Sequence, residues 1–552
     1  MTAELIDTLD LVRESLNSSS CRSDRSKIGQ FLTPAKTATF MASLFSWGKG
    51  EVRILDPGAG AGVLFGKCVE ALTSLKQRSS SIKVVAYEND ERILPYLTET
   101  MKQCESICER SRIPFYGEIL EEDFVAAAAR QAKGGLFSSQ GDRFTHVILN
   151  PPYKKINGQS STRRLLATAG IEVSNLYAAF VWLAARMLEP GGQLVAITPR
   201  SFCNGPYFRR FRIGLLNMMS LRRIHVFESR NKAFGDDDVL QENVIYHAVL
   251  NENKPERVII SSSEGLDFEK ASIRSVPYEH VVLPGDRDAF IHLALNGADE
   301  KVMDQMRCFT TSLHRLGLDV STGRIVDFRA REHLRAQPEE GTAPLIYPAH
   351  FEDGFIHWPV MSGKKPNAIE VSKKTQDLLL TSGHYVLTKR FSAKEERRRV
   401  VAAIYAPSTI SPPFVGFENH LNYFHSRGNG LSENLAKGLA LCLNSSLFDR
   451  YFRLFSGHTQ VNATDLRKMR YPSHEQLLRL GAHVRHRMPD QETLDLILER
   501  ECQINALEIS RKENSTKNPR SIESLGGSWV SSAATKRAIR AHTPFFAGSQ
   551  TW

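Results

Sequence analysis

Apolar residues in the first half of the chain fall into short runs whose spacing switches between two periods. Residues 52–56 (VRILD) are a nearly continuous apolar run ending in Asp56, the pattern of a strand buried on both faces. The run breaks into PGAGAG, and a helical pattern, VLFGKCVEALTSL, follows. A second strand, 83–88 (KVVAYE), has an acidic end; a third falls around IPFYGEIL; a fourth, 145–149 (THVIL), runs into Asn150. An apolar helix over 174–189 leads through EPGGQ, a turn signal, into the strand 194–199 (LVAITP). Two more strands are expected at 223–229 (RIHVFES) and 243–251 (NVIYHAVLN). Strands alternating with helices predict a parallel, doubly wound α/β sheet. Ligands bind beyond the carboxyl ends of such strands, so the loops after Asp56, Glu88 and Asn150 should converge on one crevice.

After about residue 265 this rhythm is lost. Residues 300–480 mix short strands, aromatics and basic clusters, including Lys389-Arg390 and Lys394 to Arg399, which reads as a second domain of mixed structure. From about 485 a charged helix (QETLDLILERECQINALEISRKEN) leads into a tail rich in Ser, Gly, Lys and Arg.

Composition adds a partner class. The 552 residues carry a formal net charge of +10, and such an excess favours a polyanion, because each cation set on a phosphate releases a counterion. The eight cysteines are scattered, and Cys104 and Cys108 have no second pair or His cluster to complete a zinc site, so no metal is expected. The N-terminal MTAELIDTLDLVRESL lacks the charged start and apolar core of a signal peptide. The longest apolar stretch, 176–188, is too short to span a bilayer. A cytoplasmic protein of bacterial type is expected.

The candidate chemistry lies at the ends of the first strands. Asp56-Pro57-Gly58-Ala59-Gly60-Ala61-Gly62 is a turn where glycines admit positive φ and let backbone approach a ligand closely. Glu88, ending the second strand, can accept hydrogen bonds from ribose hydroxyls. The two together point to an adenosine-like ligand without saying which. No GK[ST] follows the glycines, which argues against a nucleotide phosphate loop. In Glu122-Asp123-Phe124, Asp123 can bind an adenine amino group and Phe124 can cover the ring, or the acids can simply start a helix. The deciding tetrapeptide is Asn150-Pro151-Pro152-Tyr153. Two prolines stiffen the turn and remove backbone donors. The Asn150 side-chain oxygen and the Pro151 carbonyl then accept both hydrogens of a planar amine. Its nitrogen lone pair becomes available for attack, and Tyr153 offers a face for an extruded base.

With these motifs the chain resembles the amino-methylating DNA methyltransferases of restriction–modification systems. It resembles most their adenine-specific gamma arrangement, with cofactor motifs first and target recognition last. The resemblance runs from about residue 28 to 475. It implies a Rossmann-like class I fold dependent on S-adenosylmethionine, followed by a mixed α/β target-recognition domain. The implied division is 1–27 helical extension, 28–265 catalytic domain, 266–480 recognition domain and 481–552 helix and basic tail. Gln30-Phe31-Leu32-Thr33-Pro34 matches the motif that packs on the methionine part of the cofactor. Asp56 to Gly62 match the first cofactor motif, Glu88 the second, Asp123-Phe124 the third, and Asn150 to Tyr153 the catalytic motif. Few residues separate Asp123 from Asn150, too few for the recognition domain that the alpha arrangement inserts there.

The segment TPRSFCNGPYFRRFR resembles the one carrying a second aromatic that packs on the flipped adenine; spacing from Pro199 favours Phe208 over Phe202 and Tyr207. FENHLNYF (417–424) and 441–472 resemble the recognition half, with Asn444-Ser445-Ser446 and Gly457-His458-Thr459-Gln460-Val461-Asn462 as landmarks. The implied DNA contacts are Lys389, Arg390, Arg397, Arg398, Arg399, His458, Gln460 and Asn462. No PD…(D/E)xK constellation precedes the methylase half, so the implied partners are double-stranded DNA and a cognate endonuclease on a separate chain, the enzyme itself acting as a monomer. NPPY also serves methylation of protein glutamine and of RNA. Cytosine N4 methylation more often uses Ser in the Asn150 position, and a DNA-binding defence component that only senses would show a degraded cofactor loop.

Overall fold

The computed structural model describes residues 33–76, 79–133, 143–227, 243–361, 363, 365–392, 397–407, 413–455 and 460–503. Gln30, Phe31, His458, the N-terminal extension and the basic tail lie outside the described residues.

The apolar runs become β1 (Glu51–Asp56), β2 (Ser81–Tyr87), β3 (Phe115–Leu120), β4 (Phe144–Leu149) and β5 (Leu188–Pro199). These five are parallel, in the order β3-β2-β1-β4-β5. Around them lie α1 (Ala35–Ala42), α2 (Val63–Thr73), α3 (Leu94–Arg110), α4 (Phe124–Lys133), α5 (Ser161–Thr168), α6 (Leu176–Arg186) and α7 (Arg209–Met218). Alternate strand side chains point to opposite faces, which sorts the cores. Ile54, Val84, Ile148 and Val195 join α1, α2 and α3 on one side; Leu55, Val85, Val147 and Leu194 join α4, α6 and α7 on the other. This is a doubly wound α/β architecture. The strand order reverses direction between β1 and β4, and that switch point is where a crevice opens.

The sheet is larger and less uniform than its sequence pattern predicts. It has nine strands in the order β3-β2-β1-β4-β5-β7-β6-β8-β9, with β6 (Met219–Phe227), β7 (Asn243–Leu250), β8 (Arg257–Ser263) and β9 (Ser272–Pro277). β7 inserts antiparallel between β5 and β6, and β9 is antiparallel to β8. A strand buried on both faces shows the same apolar run in either direction, so its polarity is not readable from the pattern. The expected EPGGQ turn is a bulge inside β5. The pairing jumps from Phe144↔Leu188 to His146↔Gln193, with Gly191 at φ 81° absorbing the extra residues.

Beyond the sheet, a six-stranded and a five-stranded sheet of short strands pack with α8 (Gly297–Met306), α9 (Glu433–Leu443), α10 (Ser446–Phe455), α11 (Ala463–Lys468), α12 (His474–Ala482) and α13 (Gln491–Cys502). α9 and α12 touch backbone to backbone. A Cβ on Gly438 would fall 1.8 Å from the Leu477 carbonyl oxygen, and one on Gly481 2.0 Å from that of Asn434, so only glycine fits at either point.

The two halves are stapled by arginines. Arg212 in α7 is fully buried and donates to the main-chain carbonyls of Phe202, Gly205 and Asp288 at 2.7–3.1 Å. Its guanidinium lies over the Phe290 ring, 4.7 Å from the centroid, and Lys468 sits over the same ring at 4.7 Å. Arg200 donates to the Leu454 carbonyl near the end of α10 at 3.2 Å. The described cysteines are all free, and all but Cys308 are buried. No described helix is long and apolar enough to cross a membrane.

Candidate active site

Each element places one part of the crevice. β1 ends at Asp56, wholly buried, and the chain turns through Gly60 (φ 56°) to Gly62 (φ 85°), which caps α2 in the left-handed region. A Cβ at Gly62 would meet the Phe65 ring at 2.7 Å, so glycine is required twice over, by φ and by space. Burial raises the Asp56 carboxyl to about 8, partly offset by the nearby amides of Gly58 and Phe65 and increased by the neighbouring Glu88. Neither Asp56 oxygen makes a hydrogen bond of normal geometry among the described residues.

Glu88, at the end of β2, is 4% exposed. Its Oε2 accepts from the Gly60 amide at 2.9 Å, and its Oε1 accepts from the Asn89 and Asp90 amides, both at 2.9 Å. Burial raises its pKa against these three donors. The carboxylate therefore ties the glycine turn to β2 and keeps lone pairs over for a ligand.

After β4, Pro151 is buried and Asn150 half-buried. Asn150 Nδ2 donates to the Thr33 hydroxyl at 3.0 Å, and the Tyr153 hydroxyl donates to Asn150 Oδ1 at 3.2 Å. Thr33 and Tyr153 hold the two ends of the amide. Oδ1 is not the wholly free acceptor that the motif predicts, because it accepts from the Tyr153 hydroxyl. Tyr153 packs against both cores of the sheet, as a ring at the sheet's carboxyl edge must. Pro34 begins α1, its carbonyl accepting from the Ala38 amide at 3.0 Å.

Asp123 is exposed and accepts from the Ala126 amide at 2.7 Å, holding the first turn of α4. Phe124 is buried between Tyr87 and Phe180, with ring centroids 5.2 Å away on each side. Phe180 lies 3.4 Å from where a Gly58 Cβ would be, which makes it a wall of the glycine turn that sequence reading missed. Tyr177 was missed as well. It meets Tyr153 edge-on at 6.3 Å, stacks on Phe208 at 5.2 Å, and its hydroxyl lies 3.3 Å from that of Ser201. The available signal was two aromatics three residues apart in the first turn of the apolar helix after NPPY, hence on one face. Of the three candidate stacking rings, Phe202 (1% exposed) is in the core, Phe208 (6%) reaches Tyr153 through Tyr177, and Tyr207 is 83% exposed.

Set beside known proteins, residues 67–234 match the Eco57I restriction-modification methylase family. The type II methyltransferase M.PstI of Providencia stuartii is 42% identical over 496 residues, 90% of this chain and 97% of its own length. The chain belongs to the type II modification methyltransferases. M.BsuBI of Bacillus subtilis is 44% identical over 484 residues, 87% of this chain and 94% of its own. The solved type IIG restriction endonuclease BpuSI is similar over 89% of this chain and 66% of its own, with 14% identity and a TM-score of 0.43.

In this type II methyltransferase the recognition-half candidates divide into open and engaged. Lys389 lies over the Phe351 ring at 5.4 Å, and Arg390 donates to the Asn419 carbonyl at 3.2 Å and to Gln460 Oε1 at 3.3 Å. Arg397 and Arg398 line a cavity of about 480 Å³ with Val401 and Gln491. Arg399 is buried, its amide donating to Asp449 at 2.7 Å. Asn462 precedes α11 and donates to Asp465 at 3.2 Å. The Asn444 amide faces inward, accepting from the Ala402 amide at 3.0 Å and donating to the Ala402 carbonyl at 2.9 Å.

Proposed function

We propose that this type II methyltransferase transfers a methyl group from S-adenosylmethionine to N6 of an adenine turned out of double-stranded DNA, at one target sequence. The observation that carries the reading is Asn150, set directly after β4 and oriented by Thr33 and Tyr153 beside the glycine turn.

The crevice suits the cofactor. Asp56 presents a buried carboxyl, raised to about 8 beside the amides of Gly58 and Phe65, whose ionised form a cationic sulfonium or ammonium group would favour, and Glu88 has acceptors for a ribose diol. Gly58, Gly60 and Gly62, with Pro57, Thr33, Pro34, Gln30, Phe31, Asp123 and Phe124, complete its binding set. When bound, S-adenosylmethionine supplies an electrophilic methyl group. Asn150 Oδ1 and the Pro151 carbonyl accept the two amine hydrogens of adenine and localise its lone pair on nitrogen; Pro152 stiffens the turn, and Tyr153 stacks the base, with Phe208 behind it supporting the wall through Tyr177. Preorganised acceptors do this without a strong base, and the extra proton leaves after transfer. The recognition half, after the catalytic motifs in the gamma order, reads the duplex with Lys389, Arg390, Arg397, Arg398, His458, Gln460 and Asn462, and a cognate endonuclease on another chain cuts the unmodified site.

The purified protein, incubated with S-adenosylmethionine and unmodified genomic DNA, is expected to leave N6-methyladenine at one recurring sequence in single-molecule sequencing. Methyl found on cytosine N4 overturns the adenine assignment.

A further inference from the structure

The six-stranded sheet brings three loops of the recognition half to one edge. Strands Asp319–Thr322 and Tyr385–Lys389 both pair antiparallel with Leu421–His425, so their carboxyl ends lie beside its start. Asn419, just before that start, donates its amide to the Ile325 carbonyl at 2.8 Å and accepts from Arg390 at 3.2 Å. The Arg390 amide donates to the His420 carbonyl at 2.9 Å, and Phe391 forms an antiparallel bridge with Gln460.

Two rings stand on this edge. Phe391 is 47% exposed, and the His420 side chain is half exposed, with ring centroids 4.9 Å apart and planes at 48°. The Arg390 guanidinium lies over the Phe391 ring, 5.6 Å from its centroid. His420 is held by the buried Glu418: Nδ1 lies 2.5 Å from Oε1, and the His420 amide donates to Oε2 at 2.9 Å. That leaves Nε2 as the ring nitrogen for a ligand.

An exposed phenylalanine alone needs no explanation. This one is set between a guanidinium and an imidazole, in a chain of net charge +10, and an apolar ring beside a cation suits the sugar and phosphate of a polyanion. The edge is also near the crevice. Arg200 grips the Leu454 carbonyl, and its neighbour Ser201 touches Tyr177 of the crevice wall. The six residues from Leu454 to Gln460 span at most about 22 Å, so one duplex can lie across both.

We propose that Phe391 and His420 together form a duplex-DNA contact, Phe391 packing its open face on a nucleotide and His420 hydrogen-bonding through Nε2. The proposal rests on the reading that the crevice modifies DNA adenine. The test is methyl transfer by the full chain to sheared, unmodified genomic DNA. Phe391→Ala should raise KM for DNA severalfold, the scale of losing one half-exposed apolar packing contact, with kcat and cofactor Kd within twofold. Phe391→Trp should restore KM, and His420→Ala should raise it severalfold. The salt slope of DNA binding should be unchanged in Phe391→Ala but fall by about one in Arg390→Ala. An unchanged KM in both Phe391→Ala and His420→Ala overturns the contact. So does a loss in Phe391→Ala that tracks a falling Tm and is not rescued by tryptophan. Nucleoside analysis of the wild-type product separates the two failures: methyl on cytosine removes the adenine reading while the KM comparison still stands.

Discussion

Two asparagines show how the halves of this protein differ. Asn150, at the end of a buried strand, is held by side-chain hydroxyls, those of Thr33 and Tyr153. Asn444, at the end of α9, spends its amide on both main-chain groups of Ala402, as a neighbouring β-strand would. The N-terminal half sets such a polar side chain at a strand end, among other side chains. The C-terminal half uses one to replace backbone pairing that its short strands do not supply. A polar residue in a motif is thus chemistry or carpentry according to whether the backbone around it is already satisfied.

The largest expected effect is at Asn150. Asn150→Ala should lower kcat for methyl transfer by about three orders of magnitude, the scale of losing a preorganised hydrogen-bonding group, with cofactor affinity by equilibrium binding within about twofold. Near-normal turnover would erase the contrast between the two asparagines. Asn444→Ala should act on stability instead. It strands a buried amide and carbonyl at Ala402, costing about 2–4 kcal/mol in chemical denaturation, while the folded fraction keeps its kcat; lost turnover at unchanged stability would give Asn444 a functional role.

The effect that shrinks to nothing near pH 4, and so sharpens the comparison, is at Asp56. Its carboxyl is raised from 3.8 to about 8 by burial. Between those values the folded state binds a proton that the unfolded state releases, so stability is fullest below about pH 4 and declines as pH rises to about 8. Asp56→Asn should therefore raise Tm by an amount that vanishes near pH 4 and grows as pH rises to about 8, while weakening cofactor binding. A Tm gain independent of pH would show that the buried charge is not its source.

The strands were legible because burial on both faces leaves an apolar run. Asp56, Glu88 and Asn150, picked as candidates where those runs stop, lie at the ends of β1, β2 and β4. Strand direction was not legible, so β7 was missed as an antiparallel insertion. Arg212 was hidden among the arginines of FRRFR, which look like a solvated surface; its burial is set by carbonyls distant in sequence. The pattern could name Asp123 for adenine or for a helix start, and the structure shows the helix bond. In the recognition half, short strands carry too few residues for a period to emerge, and the polar landmarks there answer to partners far along the chain.

The arginine staples have a consequence for exchanging recognition halves between relatives. Arg212 and Arg200 grip main-chain oxygens, those of Phe202, Gly205, Asp288 and Leu454, and every amino acid presents that atom. The grip on Leu454 is therefore blind to its side chain, whereas the Asp288 carboxylate also pairs with Arg209 at 2.9 Å and Lys468 at 3.4 Å, and Gly205 has no room for a Cβ. A foreign reading head grafted downstream of Phe290 can be gripped by Arg200 if its backbone follows the same path, whatever letters it spells, whereas a cut made at the end of the sheet would discard the carbonyl of Asp288 and leave Arg212 buried with nothing to hold on that side.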